Sequence, residues 1–164
     1  MRASARPGPV EFGQEGASVV IHGHDASQLQ KTRNIMVAEG VDPSRILQVI
    51  GSTEAEETSQ KIYDATMAKF HRIDVLVNNA GAEMKLGTTD AKDIENLDFI
   101  YGANVRSVVE LMRLCLPVLV KSHGNIVNVD SVNAASGMNC NALKAVTRNY
   151  AKEYGPNGVR INYL

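Results

Sequence analysis

The sequence contains no tryptophan and only two cysteines among its 164 residues. Cys115 and Cys140 stand in helix-like contexts without the spacing of a metal-binding motif, which predicts no metal site and a reduced, intracellular protein. No apolar run approaches the roughly 20 residues of a membrane-spanning helix. The formal net charge is −1, so the sequence predicts neither a nucleic-acid partner nor binding to an anionic membrane.

The first residues also lack the apolar stretch of a secretory signal. They read MRASARPGPVEFGQEG, and we expect residues 1–16 to form a disordered tail. The early arginines and the absence of acidic residues before Glu11 are compatible with a mitochondrial presequence. Pro7 and Pro9 interrupt that pattern, so we expect the cytoplasm rather than the mitochondrion.

From residue 17 onward, short β-branched runs alternate with longer helical ones, which predicts one domain over residues 17–164. This alternation favours an α/β fold, with a doubly wound parallel sheet covered by helices. Pro117 should kink or end the helix that contains it. The predicted strands are 18–22, 46–50, 73–77, 125–129 and 159–163; the predicted helices are 27–39, 53–70, one ending near 121, and 138–154.

Polar or small residues follow several of these strands, at the sheet edge where ligands bind in such folds. They are the stretch Asn78–Gly81, then Ser131, then the helix start that carries Cys140 and Lys144; Asn104 lies in the preceding helix. Taken singly, each has an ordinary structural explanation: a strand-to-loop turn, a surface serine, a solvated lysine, and a polar helix residue. Their order along the chain is what makes them informative.

In this order the chain resembles the short-chain dehydrogenase/reductase family from about Glu11 to Asn162. The segments that carry the resemblance are IDVLVNNAGA (73–82), NVRSVVELM (104–112), GNIVNVDS (124–131) and KAVTRNYAKEYGPNGVRIN (144–162). The resemblance implies a Rossmann-like fold that binds NAD or NADP. It also implies hydride transfer to or from a small-molecule carbonyl or alcohol.

The resemblance also assigns roles. Asn79, Ala80 and Gly81 match the turn that lies against the adenosine side of the cofactor. Ser131 matches the serine that steadies the substrate oxygen. Lys144 matches the lysine that binds the nicotinamide ribose and lowers the pKa of the acid/base. Asn104 matches the asparagine that holds a proton-relay water.

One catalytic position departs from the family. The proton donor of the family is a tyrosine four residues before the lysine, and here that position is Cys140. A thiol has a suitable ordinary pKa of about 8.5, but it ends one atom beyond Cβ, and acid catalysis needs hydrogen-bond reach first. We therefore interpret Cys140 as a small residue without chemistry in preference to an acid. The segment between Ser131 and Cys140 is also shorter than usual in the family.

The nucleotide end departs as well, because no strand leads into a Gly-x-x-x-Gly-x-Gly turn. The first βα unit of the family and its last segment are expected to be missing from this chain. Ser52 stands where an aspartate commonly contacts adenine, and His24 where an arginine often contacts the 2′-phosphate. Neither residue decides between NAD and NADP.

The missing first strand would be central in the family's sheet, which leaves three possibilities. The strands 18–22 and 73–77 could pair directly, residues 10–12 could fill the gap, or the N-terminal unit could stay loose. We favour the loose unit, and we expect the amides of 18–22 to exchange with solvent much faster than those of 73–77 and 125–129.

Two classes of function follow. The first is an NAD(P)-dependent oxidoreductase by descent with weak or no activity. The second is a non-catalytic, truncated pseudoenzyme that acts as a binding partner. In either case we expect a homodimer or mixed dimer through helices 103–121 and 138–154, which pair with their copies in the family.

Overall fold

The computed structural model describes residues 8–82, 84–85, 87, 93–129 and 137–164, with the backbone alone for residues 137–140. Within these residues, five strands alternate with the helices, as the sequence predicts. The strands are β1 (Val19–Gly23), β2 (Ile46–Ile50), β3 (Val75–Asn78), β4 (Asn125–Asn128) and β5 (Arg160–Tyr163). The helices are α1 (Gly8–Gln14), α2 (Ala26–Ala38), α3 (Glu56–Phe70), α4 (Ile94–Tyr101), α5 (Ser107–Ser122) and α6 (Gly137–Tyr154), and a π-helical segment (Gly102–Arg106) joins α4 to α5.

The described strands form two parallel sheets rather than one. The first sheet pairs β1 with β2, and Val19 lies opposite Ile46. The second has the order β3-β4-β5, with Val75 opposite Asn125 and Asn125 opposite Arg160. The predicted parallel α/β fold is confirmed, but the sheet is divided between β1 and β3.

Each sheet has its own hydrophobic core. The larger core lies between the second sheet and the helices α5 and α6, and Met112, Leu119 and Ile126 are fully buried in it. The smaller core lies between the first sheet and α2, around the fully buried Met36. The two cores are separate clusters, so the division of the sheet extends into the packing.

The expected tail over residues 1–16 is wrong for residues 8–14, which form α1. Val10 packs against the smaller core. Gly13 is buried against Val41, whose Cγ2 atom would lie 2.6 Å from a Cβ added at position 13. Close packing on α2 and the Val41 turn therefore orders this segment, although its sequence has little helical pattern. Residues 1–7 lie outside the described residues.

Pro117 does not end its helix, so of the two expected outcomes only the kink stays a prediction. The helix α5 continues to Ser122, and His123 ends it in the left-handed conformation with φ of 50°. The residues on either side of Pro117 explain the continuation, because Leu116 and Leu119 are buried in the larger core. Burial of this face outweighs the hydrogen bond that proline removes.

Other helix boundaries carry the usual capping residues. Asp25 is the N-cap of α2, and its carboxylate accepts hydrogen bonds from the Ser27 and Gln28 backbone N–H groups. Gly40, just beyond the end of α2, has a φ of 90°. This backbone conformation is costly for any residue with a side chain. The helix α3 begins at Glu56, three residues later than predicted, after an alanine that offers no capping side chain.

Two of our three possibilities for the gap between the sheets are not found: direct pairing of its two edge strands, and filling by residues 10–12. The strands β1 and β3 do not pair, and residues 10–12 lie in α1. The first sheet is nevertheless folded against α1 and α2, and its faster amide exchange stays a prediction.

The outer edge of β2 is covered by lysines from α3. Gly51 N–H donates to Gly23 O, and because backbone groups alternate along a strand, the carbonyls of Ile46 and Ile50 point away from β1. Lys69 Nζ donates to the Ile46 carbonyl at 2.9 Å and Lys61 Nζ to the Ile50 carbonyl at 2.7 Å. Lysines at an edge strand discourage pairing with another chain.

No helix in the described part of the chain is long and apolar enough to cross a membrane.

Candidate functional site

A buried chain of polar side chains connects the carboxyl ends of β3 and β4 to α6. Asn78 Nδ2 donates to Asn128 Oδ1 at 2.8 Å, and Asn128 Nδ2 donates to Thr147 Oγ1 at 2.9 Å. The Thr147 hydroxyl donates in turn to the Leu143 carbonyl at 2.7 Å. All three polar side chains are buried, Asn128 completely. The network therefore fixes the position of α6 against both strand ends.

Lys144 lies on the same part of α6. It precedes Thr147 by three residues, so the two positions are neighbours on the helix surface. The Lys144 side chain is exposed, which leaves its ammonium group accessible to a ligand. The buried network thus orients the turn that presents this lysine. Ser131 and the side chain of Cys140 lie outside the described residues.

The turn after β3 is held by Asn104. Asn104 Oδ1 accepts a hydrogen bond from Ala82 N–H at 2.7 Å, and Asn104 Nδ2 donates to the Ala82 carbonyl at 2.8 Å. Gly81 approaches the same side chain, because a Cβ added there would lie 3.5 Å from Asn104 Oδ1. The structure thus brings Asn104 together with the Asn79–Gly81 turn. The proposed contact of this side chain with a relay water stays a prediction.

Asn104 is carried by the π-helical segment Gly102–Arg106. Such segments insert one residue into a helix and occur frequently at functional sites. Arg106 anchors the segment to α3, with Nη1 3.1 Å from Glu56 Oε1 and Nη2 donating to the Glu54 carbonyl at 3.1 Å. Ser107 Oγ donates to the Ala103 carbonyl at 2.7 Å. These contacts hold the wider turn that directs Asn104 toward Ala82.

His24 and Ser52 lie together at the carboxyl end of the first sheet. The strand register places Gly23 opposite Ile50, so the two residues follow neighbouring strand ends. His24 is exposed, and Ser52 Oγ donates to Glu54 Oε2. The strand register therefore places these two residues at the same end of the first sheet. It does not link either one to Lys144 by a hydrogen bond in the described part of the chain.

A cavity of about 730 Å³ lies between the two sheets. At the carboxyl ends of the strands it is lined by Asn79 and Ala80 from one side and by His22 and Thr53 from the other. Along its length it is lined by the facing strands β1 and β3 and by the helices α3 and α5. The adenosine-side turn of the candidate site therefore opens into the gap in the sheet.

Two titratable groups that line this cavity have shifted pKa values. Burial lowers the pKa of His22 below its ordinary value, and the hydrogen bond of Nε2 to the Gly51 carbonyl at 3.0 Å opposes part of that shift. Burial raises the pKa of the Cys115 thiol to about 12. Both groups are therefore held in their neutral forms near neutral pH.

The described residues contain no group of three or more histidine, cysteine, aspartate or glutamate side chains that could hold a metal ion. The expectation of no metal site stays a prediction. Residues that fit a dinucleotide are present in the accessible Lys144 and in the small-residue turn Asn79–Gly81. The printed sequence contains no Gly-x-x-x-Gly-x-Gly turn for the diphosphate.

Sequence reasoning missed Asn128 and Thr147, which position the site without standing in a recognisable motif. A signal exists for the first of them. Asn78 and Asn128 are the last residues of neighbouring strands, each an amide after apolar residues. Two asparagines in equivalent positions indicate a cross-strand pair, but the third partner on α6 is apparent only in the fold.

Comparisons with known proteins agree with this arrangement. The family model described as enoyl-(acyl carrier protein) reductase matches residues 10–164. The chain is 30% identical over 160 residues to 3-oxoacyl-[acyl-carrier-protein] reductase FabG of Thermotoga maritima, covering 92% of this chain and 63% of that protein. It is 33% identical over 159 residues to meso-2,3-butanediol dehydrogenase of Serratia marcescens, covering 92% of this chain and 61% of that protein. The chain thus spans about three fifths of the length of these curated relatives.

Solved structures show the same fold. A short-chain dehydrogenase/reductase of unknown function from Caenorhabditis elegans, solved with cofactor, superposes with a TM-score of 0.87 at 31% identity. The match covers 95% of this chain and 62% of that one. Glucose dehydrogenase of Caenorhabditis elegans in the apo-form gives a TM-score of 0.82 at 30% identity, covering 94% and 65%. The family model, the relatives and the shared fold together establish that this chain belongs to the short-chain dehydrogenase/reductase family.

Proposed function

We propose that this chain is an NAD(P)-dependent oxidoreductase by descent whose hydride transfer is weak or absent. The observation that carries the proposal is Cys140, which stands one helical turn before Lys144 in α6. The family places its tyrosine proton donor there. A thiol so close to the backbone falls short of the position that the tyrosine hydroxyl reaches across its ring.

The residues that would hold the cofactor are divided between two parts of the chain. Asn79, Ala80 and Gly81 would contact the adenosine side, and Lys144 would donate to the nicotinamide ribose. His24 and Ser52 would lie near the adenine and the ribose 2′ position. A bound nicotinamide would supply or accept the hydride, with Ser131 holding the substrate oxygen. The diphosphate has no Gly-rich loop in these 164 residues, so we expect weak binding, with a dissociation constant of about 1 mM or higher.

The experiment is a titration of the purified 164-residue protein with NADPH and NADH, followed by steady-state assays with simple ketones and alcohols. We expect no turnover above background. Cys140→Tyr alone should not restore activity, because the diphosphate loop is still lacking. Turnover that disappears in Lys144→Ala or Ser131→Ala would refute the proposal.

The second candidate function is that of a non-catalytic binding partner. It is favoured by the departures at both the proton donor and the diphosphate loop, each of which alone would impair catalysis. Partners would be a second copy or a longer relative, joined through helices 103–121 and 138–154. Light scattering should show a dimer at tens of micromolar, about the range in which interfaces of ordinary affinity are occupied. A monomer at that concentration, with no complex after mixing with a longer relative, would exclude this candidate. We expect both candidates to act in the cytoplasm.

A further inference from the structure

The π-helical segment and the turn that follows β2 meet at Glu54. Arg106 Nη2 donates to the Glu54 carbonyl at 3.1 Å, and Arg106 Nη1 donates to Glu56 Oε1 at 3.1 Å. Gly102, the first residue of the segment, is buried, and a Cβ added there would lie 3.9 Å from Glu54 Cβ. The segment therefore contacts Glu54 through one guanidinium and one residue without a side chain.

Glu54 belongs to a short turn that holds its own shape, which we call the Ser52 turn (residues 52–55). Ala55 N–H donates to the Ser52 carbonyl at 3.2 Å, and Ser52 Oγ donates to Glu54 Oε2. Thr58 N–H donates to the Ala55 carbonyl at 3.0 Å, which joins the turn to α3. A contact that fixes the Glu54 carbonyl therefore helps to fix the whole turn.

The same segment holds a second turn, through the residue two positions before Arg106. That residue is Asn104, which forms its two hydrogen bonds with the Ala82 backbone at 2.7 and 2.8 Å. Ala80, in the turn just before Ala82, lines the cavity between the two sheets, and Thr53 of the Ser52 turn lines the same cavity. Arg106 thus connects two turns that border one space.

The Arg106 guanidinium is held in this position despite an unfavourable contact. Its Nε atom is buried and has no hydrogen-bond partner among the described residues. The Glu110 carboxylate, one turn further along the helix, lies 3.7 Å from Nε, which is too far for a hydrogen bond. A buried donor without a partner is destabilising. The side chain is therefore oriented toward Glu54 and Glu56 in preference to the usual pairing along its own helix.

We propose that Arg106 is a positioning residue for the adenosine half of the cofactor. It sets the separation of the Ser52 turn and the Asn79–Gly81 turn, so that one ligand can contact both. No strand pairing among the described residues joins the sheets that carry these turns, so other contacts have to hold them at a fixed distance. The inference rests on the proposed function, which assigns both turns to the adenosine side. Arg106 itself touches neither cofactor nor substrate in this role.

The first measurement needs no ligand and compares Arg106→Met with the parent protein. Because the Glu54 carbonyl loses its donor, we expect the amides of Ala55 and Ala82 to exchange with solvent at least about tenfold faster, equivalent to roughly 1.4 kcal/mol. The amide of Asn162 in β5, which is remote from Glu54, should exchange as in the parent.

The second measurement is a titration with ADP-ribose, which is the cofactor without its nicotinamide, followed by amide chemical shifts in NMR spectra. In the parent, the amides of Ser52, Thr53, Ala80 and Gly81 should shift along one binding curve, with a dissociation constant of about 1 mM or higher. In Arg106→Met that constant should rise at least about tenfold, because the two turns no longer stand at the distance that one ligand spans.

Three control variants separate this role from a general effect of charge. Arg113→Met removes the same charge from an exposed position on α5 and should leave both measurements unchanged. Glu56→Gln removes the exposed ion pair but keeps the bond to the Glu54 carbonyl, so it should also behave as the parent. Gly102→Ala fits at an ordinary contact distance and should match the parent. Gly102→Leu, which changes no charge, should push Glu54 away and reproduce the effect of Arg106→Met.

Three results would overturn the positioning role alone. They are equally faster exchange at Ala55, Ala82 and Asn162, unchanged exchange of both turns in Arg106→Met, or the same ADP-ribose dissociation constant in Arg106→Met and the parent. A different result would refute the cofactor site of the proposed function, and the positioning role with it. It is the absence of any shift in either turn of the parent at about 10 mM ADP-ribose, beyond the weak end of specific affinities.

Discussion

The side-chain amide of Asn104 and the backbone of Ala82 form a reciprocal pair of hydrogen bonds, at 2.7 and 2.8 Å. A side chain thereby imitates the backbone of a neighbouring strand and holds the loop that follows Asn79–Gly81. The pair joins the π-helical segment to the end of β3, two elements that are far apart in sequence. Loss of this pair of hydrogen bonds should therefore loosen the loop before it affects the packing of the hydrophobic core.

Asn104→Ala should destabilise the protein by about 1–3 kcal/mol, because the partly buried Ala82 groups lose both partners. The free energy of unfolding is measured by urea denaturation, and exchange of the Ala82 amide is followed separately. Asn104→Asp is the matched control. It keeps the acceptor for Ala82 N–H but loses the donor, so that amide should stay slow while stability still falls. Fast exchange of Ala82 in both variants would contradict this assignment.

Asn128→Leu should cost about 1–3 kcal/mol or more, because it leaves the Asn78 amide and the Thr147 hydroxyl buried without their shared partner. Thr147→Val should cost less, and the double variant should show a coupling of at least about 0.5 kcal/mol. The measurement is a double-mutant cycle in urea. Asn125→Leu serves as the control on the same strand. Its amide bonds to Asn162 at an exposed position, so we expect a change within about 0.5 kcal/mol.

Cys115 should resist alkylation in the native protein. The residue is 3% exposed, and burial raises the pKa of its thiol to about 12. In Cys140→Ser it is the sole thiol, so the rate of reaction with iodoacetamide reports on it alone. The native rate should rise continuously up to pH 10, whereas in guanidinium it should level off near the ordinary thiol pKa of about 8.5. A native rate that levels off below pH 9 would show that the thiol is not buried as described.

His22 should make the protein less stable in mild acid. Its folded-state pKa is lowered by burial, so the unfolded chain takes up the proton first as the pH falls below the ordinary value of about 6.5. The stability is therefore fully present above that pH and is lost as the pH falls toward the lower folded-state pKa. In His22→Gln the decline in the urea midpoint between pH 7.5 and 5.5 should be smaller. In the exposed His24→Gln control it should match the parent, and an equal decline in all three proteins would rule out this role.

Much of the fold was predictable because its signals are local. The alternation of apolar runs predicted the five described strands and the helical stretches 27–39, 53–70, the one ending near 121, and 138–154. Local preference was the wrong guide at two places. The helix continues past Pro117 because Leu116 and Leu119 are buried, and residues 8–14 form a helix because they pack against Val41.

The candidate site was predictable only in part. Asn79, Gly81, Asn104 and Lys144 could be placed because they stand in motifs that resemble a family. The Asn128–Thr147 bond joins residues 19 apart in sequence, and no local pattern reports such a pair. The π-helical turn that directs Asn104 depends on the anchoring of Arg106 to α3, which is again a contact between distant segments.

The helix α3 contacts both halves of the molecule. Lys61 and Lys69 tie it to the outer edge of β2, and Arg106 ties it to the start of α5. Side-chain hydrogen bonds thus attach α3 to the first sheet, whereas Tyr63 and Met67 pack it against the larger core. The helix is therefore a bridge between two sheets that share no strand pairing among the described residues. Higher ionic strength should weaken the exposed Arg106–Glu56 pair and leave the apolar contacts of Tyr63 and Met67 in place.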